Sequence, residues 1–199
     1  MTVPTSSINK KERGGINAID GYSRQTAGQQ IGVFASQSGP GVENSFGGIA
    51  QAWGDSVPIL FLPGGSGTGS YDVAPNFSAT RNYANVTKLA LSIDQIHRTT
   101  REMRRAFHTA RQGRPGPVLV EMHGDVLRQE IPENTPPYRP SRPMKYGPSV
   151  SDIKDAVAQL LAAKNPVIWA GQGVLYAGAT NQLMELAELT QIPVITTMQ

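Results

Sequence analysis

The chain has 199 residues, of which 39% are hydrophobic and 17% are charged. This length and apolar content are enough for one large domain or two small ones with a packed core, which excludes a disordered chain. The absence of cysteine excludes disulfides, thiolate nucleophiles and cysteine-ligated zinc. A net charge of +3 admits nucleic acid as a partner, but the arginines do not alternate with aromatic residues, so we expect no nucleic-acid binding. No segment is apolar enough for a membrane span, and we expect a cytoplasmic protein.

The N-terminal third of the chain alternates between helical and extended patterns. Residues 1–11 are polar and aperiodic, as in a tail. Helical spacing from Arg13 predicts a helix that stops near Gly28, and the short apolar run 31–35 predicts a strand buried on both faces. A turn with two glycines around a proline comes next. The second helix is predicted from one apolar stripe, formed by Phe46, Ile49, Ala50 and Trp53.

The middle of the chain continues the alternation. Residues 59–62 predict a second strand, and residues 64–82, rich in Gly, Ser and Asn, predict a surface loop that could hold a ligand. A long amphipathic helix is predicted from apolar residues that step by three and four, namely Ile93, Ile96, Thr100, Met103, Phe107 and Ala110. Its arginines at 98, 101, 104 and 105 favour a solvated basic face over a phosphate or nucleic-acid patch. Residues 117–122 predict a third strand.

The proline-dense segment 131–148 predicts an extended linker, so we expect a first domain over 1–130 and the start of a second over 149–199. The second part carries a helix pattern from Ile153, a strand at 166–170, another helix pattern and a strand at 193–197. Strands that alternate with helices indicate an α/β fold with a parallel, helix-flanked sheet in the first domain and part of a doubly wound sheet in the second.

The turn Ser38-Gly39-Pro40-Gly41 joins the first strand to the second helix. Such turns at the carboxyl edge of a parallel sheet often bind ligands, but glycines in a tight connection explain the pattern equally well. The three histidines, His97, His108 and His123, lack paired metal-ligand spacing, and no metal site is predicted. Gly171-x-Gly173 follows a strand but is a weak signal for a dinucleotide.

Several separated motifs together resemble one family, the acetolactate synthase group of thiamine-diphosphate enzymes. The motifs are Glu12 followed by Gly21-Tyr22-x-Arg24, the run from Ser38 to Asn44, Asp55-Ser56-Val57-Pro58, Gly113 to Val120 with Asp125-Val126, and Asn165-Pro166 through Ile192-Pro193-Val194. They keep the family's order and spacing over residues 12–199. The resemblance implies the pyrimidine-binding domain followed by the start of the middle domain.

The resemblance assigns Glu12 as the catalytic proton relay. In the family, a carboxylic acid in apolar surroundings exchanges a proton with the N1′ nitrogen of the cofactor's aminopyrimidine. From the residues alone, Glu12 reads as a helix-capping acid, and the family spacing favours the catalytic role. The family's loop near the pyrimidine ring corresponds to Ser38, Gly39, Pro40, Gly41 and Asn44, which we expect to bind the cofactor through shape and hydrogen bonds.

The same resemblance implies a 2-keto acid substrate, decarboxylation or carboligation, and a homo-oligomer in the intact enzyme. It also implies magnesium, whose Gly-Asp-Gly and Asn ligands do not occur in this chain, so we expect the chain to be inactive alone. FAD, which acetolactate synthases hold in the middle domain, stays open. Pro63-Gly64-Gly65 stands where that group usually has a glutamine. The alternative is a non-catalytic module: a decayed subunit for assembly, or a nucleotide-binding domain.

Overall fold

A computed structural model describes residues 11–142, 144 and 146–197. The chain forms two compact units, residues 1–143 and 144–199. The predicted tail lies almost entirely outside the described residues. In the described part of the chain, no helix is both long enough and apolar enough to cross a membrane.

The first unit alternates strands and helices. Its helices are α1 (Glu12–Gln25), α2 (Pro40–Gly54), α3 (Ala79–Tyr83), α4 (Thr99–Arg111) and α5 (Gly124–Leu127). Its strands are β1 (Gly32–Ser36), β2 (Ile59–Gly65), β3 (Leu89–Ile93) and β4 (Val118–His123). Three short 3-10 turns cover Thr68–Ser70, Ala84–Val86 and Ile96–Arg98. All pairings are parallel and the strand order is β1-β2-β4-β3, which confirms the predicted α/β class.

The second unit contains α6 (Val150–Ala162), β5 (Ile168–Ala170), α7 (Gly173–Ala177), α8 (Thr180–Thr190) and β6 (Val194–Thr196). The two strands pair in parallel, with Ile168 opposite Val194. Ser149 caps α6 through a reciprocal pair of hydrogen bonds with Asp152. Many apolar side chains of this unit are exposed in this chain, including Trp169 at 73% and Leu189 at 81%.

The central strands of the first unit are buried on both faces because successive side chains point to opposite sides of the sheet. Ile59, Phe61 and Leu119 pack with α1 and α2 on one side. Leu60, Val118 and Val120 pack with α4 on the other. The prediction that β1 is buried on both faces is wrong: β1 lies at the edge of the described sheet, and Val33 is 44% exposed.

The contact between α1 and α2 runs through small residues and differs from the predicted apolar stripe. The buried face of α2 consists of Gly41, Val42, Ser45, Gly48, Ile49 and Ala52. Phe46 and Trp53, which the stripe placed in the core, are each 40% exposed. Because these small residues let the helix backbones approach closely, hydrophobicity alone misplaced the buried face.

Polar contacts also fix the position of α1. Arg24 bonds to Asp20 at 2.6 Å, one helical turn earlier, and to Asp55 at 2.6 Å beyond the end of α2. The buried hydroxyl of Ser23 accepts a hydrogen bond from the backbone N–H of Gly32 at 2.9 Å. These contacts tie the end of α1 to α2 and to the start of β1, and so they hold the helix that begins at Glu12.

The helix predicted from Ile93 onward is corrected. Residues 89–93 form β3, which the sequence interpretation missed, and α4 begins only at Thr99, so Ile93 and Ile96 precede the helix. The basic face of α4 is exposed to solvent, with side-chain accessibilities of 38, 67 and 59% for Arg98, Arg101 and Arg105, and it also forms ion pairs. Arg101, Arg98 and Arg105 place nitrogen atoms 2.6, 3.7 and 3.6 Å from the carboxylate of Glu102, which is 4% exposed. Three of the four arginines therefore balance one buried acid.

Gly48→Ala is expected to destabilise the protein by about 1–3 kcal/mol through overpacking. The added methyl group would lie 2.6 Å from Cγ2 and 2.9 Å from Cβ of Ile16. Gly47→Ala is the matched control, because nothing lies within 4 Å of that site on the same helix. It should stabilise by up to about 1 kcal/mol through helix propensity. Urea unfolding followed by circular dichroism checks both, and equal effects would contradict the close α1–α2 contact.

Candidate active site

A cavity of about 200 Å³ lies at the carboxyl ends of β1, β2 and β4. It is lined by Ser38, Gly39, Val42, Gly64, Gly65, Ser66, Asn76, Phe77, Ala79 and Glu121. The carboxyl edge of a parallel sheet is where ligands of open α/β folds bind. An engineered cavity of about 150 Å³ admits benzene, so this space suits one six-membered ring or a small acid rather than an entire two-ring cofactor with a diphosphate.

The turn that enters the cavity depends on Gly39. Its φ of 67° and ψ of −124° lie in a region that side-chain-bearing residues rarely adopt. Gly39 caps α2 with its backbone carbonyl, which accepts from the N–H groups of Val42 and Glu43 at 2.9 and 3.1 Å. Pro40 occupies the first helical turn, where its missing N–H costs nothing. The turn therefore presents backbone, without bulk, to the cavity.

The structure brings together only part of the predicted site. Ser38 and Gly39 line the cavity, whereas Pro40, Gly41 and Asn44 lie in the first turns of α2, with Gly41 buried and Asn44 exposed. Glu12 is the first residue of α1, half-buried, and it is not among the cavity-lining residues. Whether these residues bind a cofactor stays a prediction.

Glu121 is the acidic residue that the sequence interpretation missed. It lies in β4, is 3% exposed and lines the cavity. Its Oε2 atom is buried and has no hydrogen-bond partner among the residues that the structure describes. Burial raises the pKa of Glu121, and the nearby charge of Asp72 raises it further, while His123 lowers it. A lone acid inside the apolar run from Val118 to Met122 was the available signal.

Gly65 leaves the space that the side chain of Glu121 occupies on one side of the cavity. It pairs with His123 in the β2–β4 register, and a methyl group at this position would lie 2.9 Å from both Cγ and Oε1 of Glu121. His123 is 1% exposed, and its Nδ1 donates a hydrogen bond to the backbone carbonyl of Ser66. The ring of Tyr71 packs edge-on against His123, with 4.9 Å between centroids. His123 is thus a core residue that holds the rim of the cavity.

The segment after β2 is also anchored to α5. Both the N–H and the hydroxyl of Thr68 donate to Oδ2 of Asp125, at 3.0 and 2.6 Å. These hydrogen bonds lower the pKa of Asp125. The predicted loop 64–82 is therefore not one irregular segment. Its first residues belong to β2, the Thr68 hydrogen bonds hold its middle, and its last residues belong to α3.

Comparison with known families assigns both units. The family model described as the N-terminal TPP binding domain of thiamine pyrophosphate enzymes matches residues 5–95, and the model of the central domain of the same enzymes matches residues 153–199. The chain belongs to the thiamine pyrophosphate enzyme family. It lies within the acetolactate synthase-like group, in agreement with the resemblance of its motifs.

Relatives of this thiamine pyrophosphate enzyme chain support the assignment. It is 36% identical to an acetolactate synthase of Mycobacterium bovis, over 95% of this chain and 31% of the relative. It is 37% identical to a glyoxylate carboligase of Escherichia coli O157:H7, over 98% of this chain and 36% of the relative. It is 33% identical to the acetolactate synthase isozyme 3 large subunit of E. coli K12, over 95% of this chain and 34% of the relative. The chain spans about a third of the length of these relatives.

The described residues leave room for the pyrimidine ring of thiamine diphosphate, but they do not form a metal site. The cavity, walled by backbone at Ser38, Gly39, Gly64 and Gly65, has room for a pyrimidine ring. In the described residues, no group of three or more His, Asp or Glu side chains could hold a metal ion. In the second unit, Gly171 lies before α7 and Gly173 is the first residue of that helix. The helix α7 has only five residues, and nothing in this geometry favours FAD.

Glu121→Gln is expected to change how stability depends on pH. Because the folded pKa of Glu121 is raised, the folded protein holds this proton more tightly than the unfolded chain does, so stability falls as pH rises above the ordinary value of 4.5. In Glu121→Gln the free energy of unfolding should not show this decline, so the stability of the variant relative to the wild type should increase as pH rises. Urea unfolding at stepped pH checks this, with exposed Glu130→Gln as control. Parallel curves for wild type and Glu121→Gln would contradict the raised pKa.

Proposed function

We propose that this chain is the pyrimidine-binding part of a thiamine-diphosphate-dependent enzyme that decarboxylates or joins 2-keto acids. The observation that carries the proposal is the cavity that Ser38 and Gly39 help to line, at the carboxyl edge of the sheet and within the segment matched to the TPP binding domain. We assign 1–130 to this domain, 131–148 to a linker and 149–199 to the start of the middle domain.

Each predicted residue has a place in this proposal. Glu12 would exchange a proton with N1′ of the aminopyrimidine, and its helix is held by Arg24 and by the small-residue contact with α2. The backbone of Ser38 and Gly39 would lie against the ring, with Pro40, Gly41 and Asn44 shaping the start of α2. Bound thiamine diphosphate supplies the carbon nucleophile that attacks the keto group.

Magnesium and the diphosphate require residues outside this chain, because its 199 residues contain no Gly-Asp-Gly segment. We therefore propose that the active enzyme is an oligomer or a longer chain, in which another segment supplies the diphosphate half.

A chimera tests the proposed function. This chain would replace the matching segment in the E. coli acetolactate synthase isozyme 3 large subunit, the 33% identical relative. We expect release of carbon dioxide from pyruvate that requires both thiamine diphosphate and Mg²⁺. The parent enzyme is the positive control, and circular dichroism with native mass spectrometry establishes folding. A folded, assembled chimera that releases no carbon dioxide at saturating cofactor would contradict the proposal and favour a non-catalytic assembly module.

A further inference from the structure

Tyr83 is a fully buried residue whose phenol reaches the turn of the candidate site. It is the last residue of α3 and is 0% exposed. Its hydroxyl donates a hydrogen bond to the backbone carbonyl of Val42 at 2.5 Å, across 41 positions of the chain. Val42 lines the cavity, whereas Tyr83 is not among the lining residues that the structure describes. The phenol therefore acts on the cavity through the backbone of Val42.

The first turn of α2 begins without a side-chain cap. Gly39, at the N-cap, has no side chain that could accept from the helix, so its backbone carbonyl takes the hydrogen bond from the N–H of Val42. The hydroxyl of Ser45 donates to the carbonyl of Gly41 at 2.8 Å, but Ser45 belongs to the same helix. The bond from Tyr83 instead ties this turn to another element, so it fixes the position of the turn as well as its shape.

The helix that carries Tyr83 also contributes to the cavity. Ala79, the first residue of α3, lines the cavity and is 1% exposed. Residues four apart lie on the same face of a helix, so Ala79 and Tyr83 share one face of α3. The hydrogen bond to Val42 therefore sets the distance between two parts of the lining, the turn at Ser38 and Gly39 and the start of α3.

Tyr83 is itself held in place by its neighbours. The rings of Phe46 and Phe61 pack against its ring. The hydroxyl of Thr87 donates to its backbone carbonyl at 2.8 Å, and this hydrogen bond is buried. Burial also raises the pKa of the phenol, so the hydroxyl stays protonated and can donate at neutral pH. A donor fixed in this way holds Val42 in one position.

We propose that Tyr83 is a positioning residue for the pyrimidine ring, whose hydroxyl holds the turn at Ser38 and Gly39 at the distance from α3 that admits the ring. The inference rests on the proposed function, since that function names the ring as the ligand. Tyr83 contacts neither the ring nor a reacting atom, and no covalent step is assigned to it. Loss of the hydroxyl should weaken binding of the ring without changing where the ring binds.

The test is a ¹H–¹⁵N NMR titration of the full chain with 4-amino-5-hydroxymethyl-2-methylpyrimidine, for the wild type, Tyr83→Phe and Ile93→Val. Phe keeps the buried ring and removes only the hydroxyl. Ile93 is 3% exposed in the core on the other side of the sheet, so Ile93→Val should lower stability by a similar amount. We expect shifts at the amides of Ser38 and Gly39 in all three proteins. Affinity should be about three- to tenfold weaker for Tyr83→Phe and unchanged for Ile93→Val.

The outcomes separate this inference from the proposed function. If Tyr83→Phe binds the pyrimidine as tightly as the wild type does, the positioning role is overturned and the proposed function stands. If Ile93→Val loses as much affinity as Tyr83→Phe, the loss follows general stability, and the positioning role is overturned as well. If a folded wild-type chain does not bind the pyrimidine, the proposed function fails and this inference fails with it. Well-dispersed spectra of the free variants establish that each is folded.

Discussion

Glu12→Gln in the chimeric enzyme is expected to slow deuterium exchange at C2 of thiamine diphosphate by about 10²–10⁴-fold, the range for loss of a general acid–base group. Gln keeps the shape and a hydrogen bond but cannot exchange a proton with the ring. The change is conservative because Glu12 begins α1 and is half-buried, so little packing is disturbed. Quenched-flow exchange followed by NMR gives the rate directly.

Glu130→Gln serves as the matched control for this loss. It makes the same chemical change at an exposed residue outside α1, and exchange should proceed at the parent rate. If Glu12→Gln exchanged C2 as fast as the unchanged chimera, Glu12 would be a helix-capping acid and the assignment would be wrong. Exchange rather than turnover is measured because it isolates the proton relay from substrate binding.

Tyr83→Ala is expected to destabilise the first unit by about 3–5 kcal/mol, the usual cost of deleting a buried aromatic side chain. Tyr83 is 0% exposed and contacts the rings of Phe46 and Phe61, with centroids 5.1 and 5.7 Å away. Its hydroxyl donates to the backbone carbonyl of Val42 at 2.5 Å, just after the glycine turn. Burial raises the pKa of this phenol, so it stays a neutral donor.

Urea unfolding separates the two contributions of Tyr83. Tyr83→Phe removes only the hydroxyl and should cost about 1 kcal/mol. Tyr146→Ala, at a residue 73% exposed, should change stability by less than about 0.5 kcal/mol. A Tyr83→Ala variant as stable as Tyr146→Ala would contradict the packing of α3 against Val42 and Phe61 in the core.

The sequence predicts the central strands best, because strands buried on both faces read as continuous apolar runs. β2 and β4 were found this way, and the predicted alternation of strands and helices agrees with the parallel sheet. β3 was missed because Ile93 also fits the helical spacing that continues into α4. The buried face of α2 was missed because Gly48 and Ser45 pack closely without being hydrophobic.

The candidate site divides in the same way. The turn at residues 38–41 is local, so its glycines and its family resemblance could be read from consecutive residues. Glu121 is brought beside Gly65 by strand register across fifty-six positions of chain, which no local pattern encodes. Asn76 and Phe77 reach the cavity from an aperiodic segment, whose path depends on anchors such as Asp125.

Pyrimidine binding by the first unit is tested most directly by a ¹H–¹⁵N NMR titration of this chain with 4-amino-5-hydroxymethyl-2-methylpyrimidine, the free pyrimidine half of the cofactor. We expect saturable shifts at the amides of Ser38, Gly39, Gly41 and Glu12, with residues 146–197 unchanged. Shifts confined to the second unit, or no shift in a folded chain at saturating ligand, would contradict the assignment of a pyrimidine-binding domain.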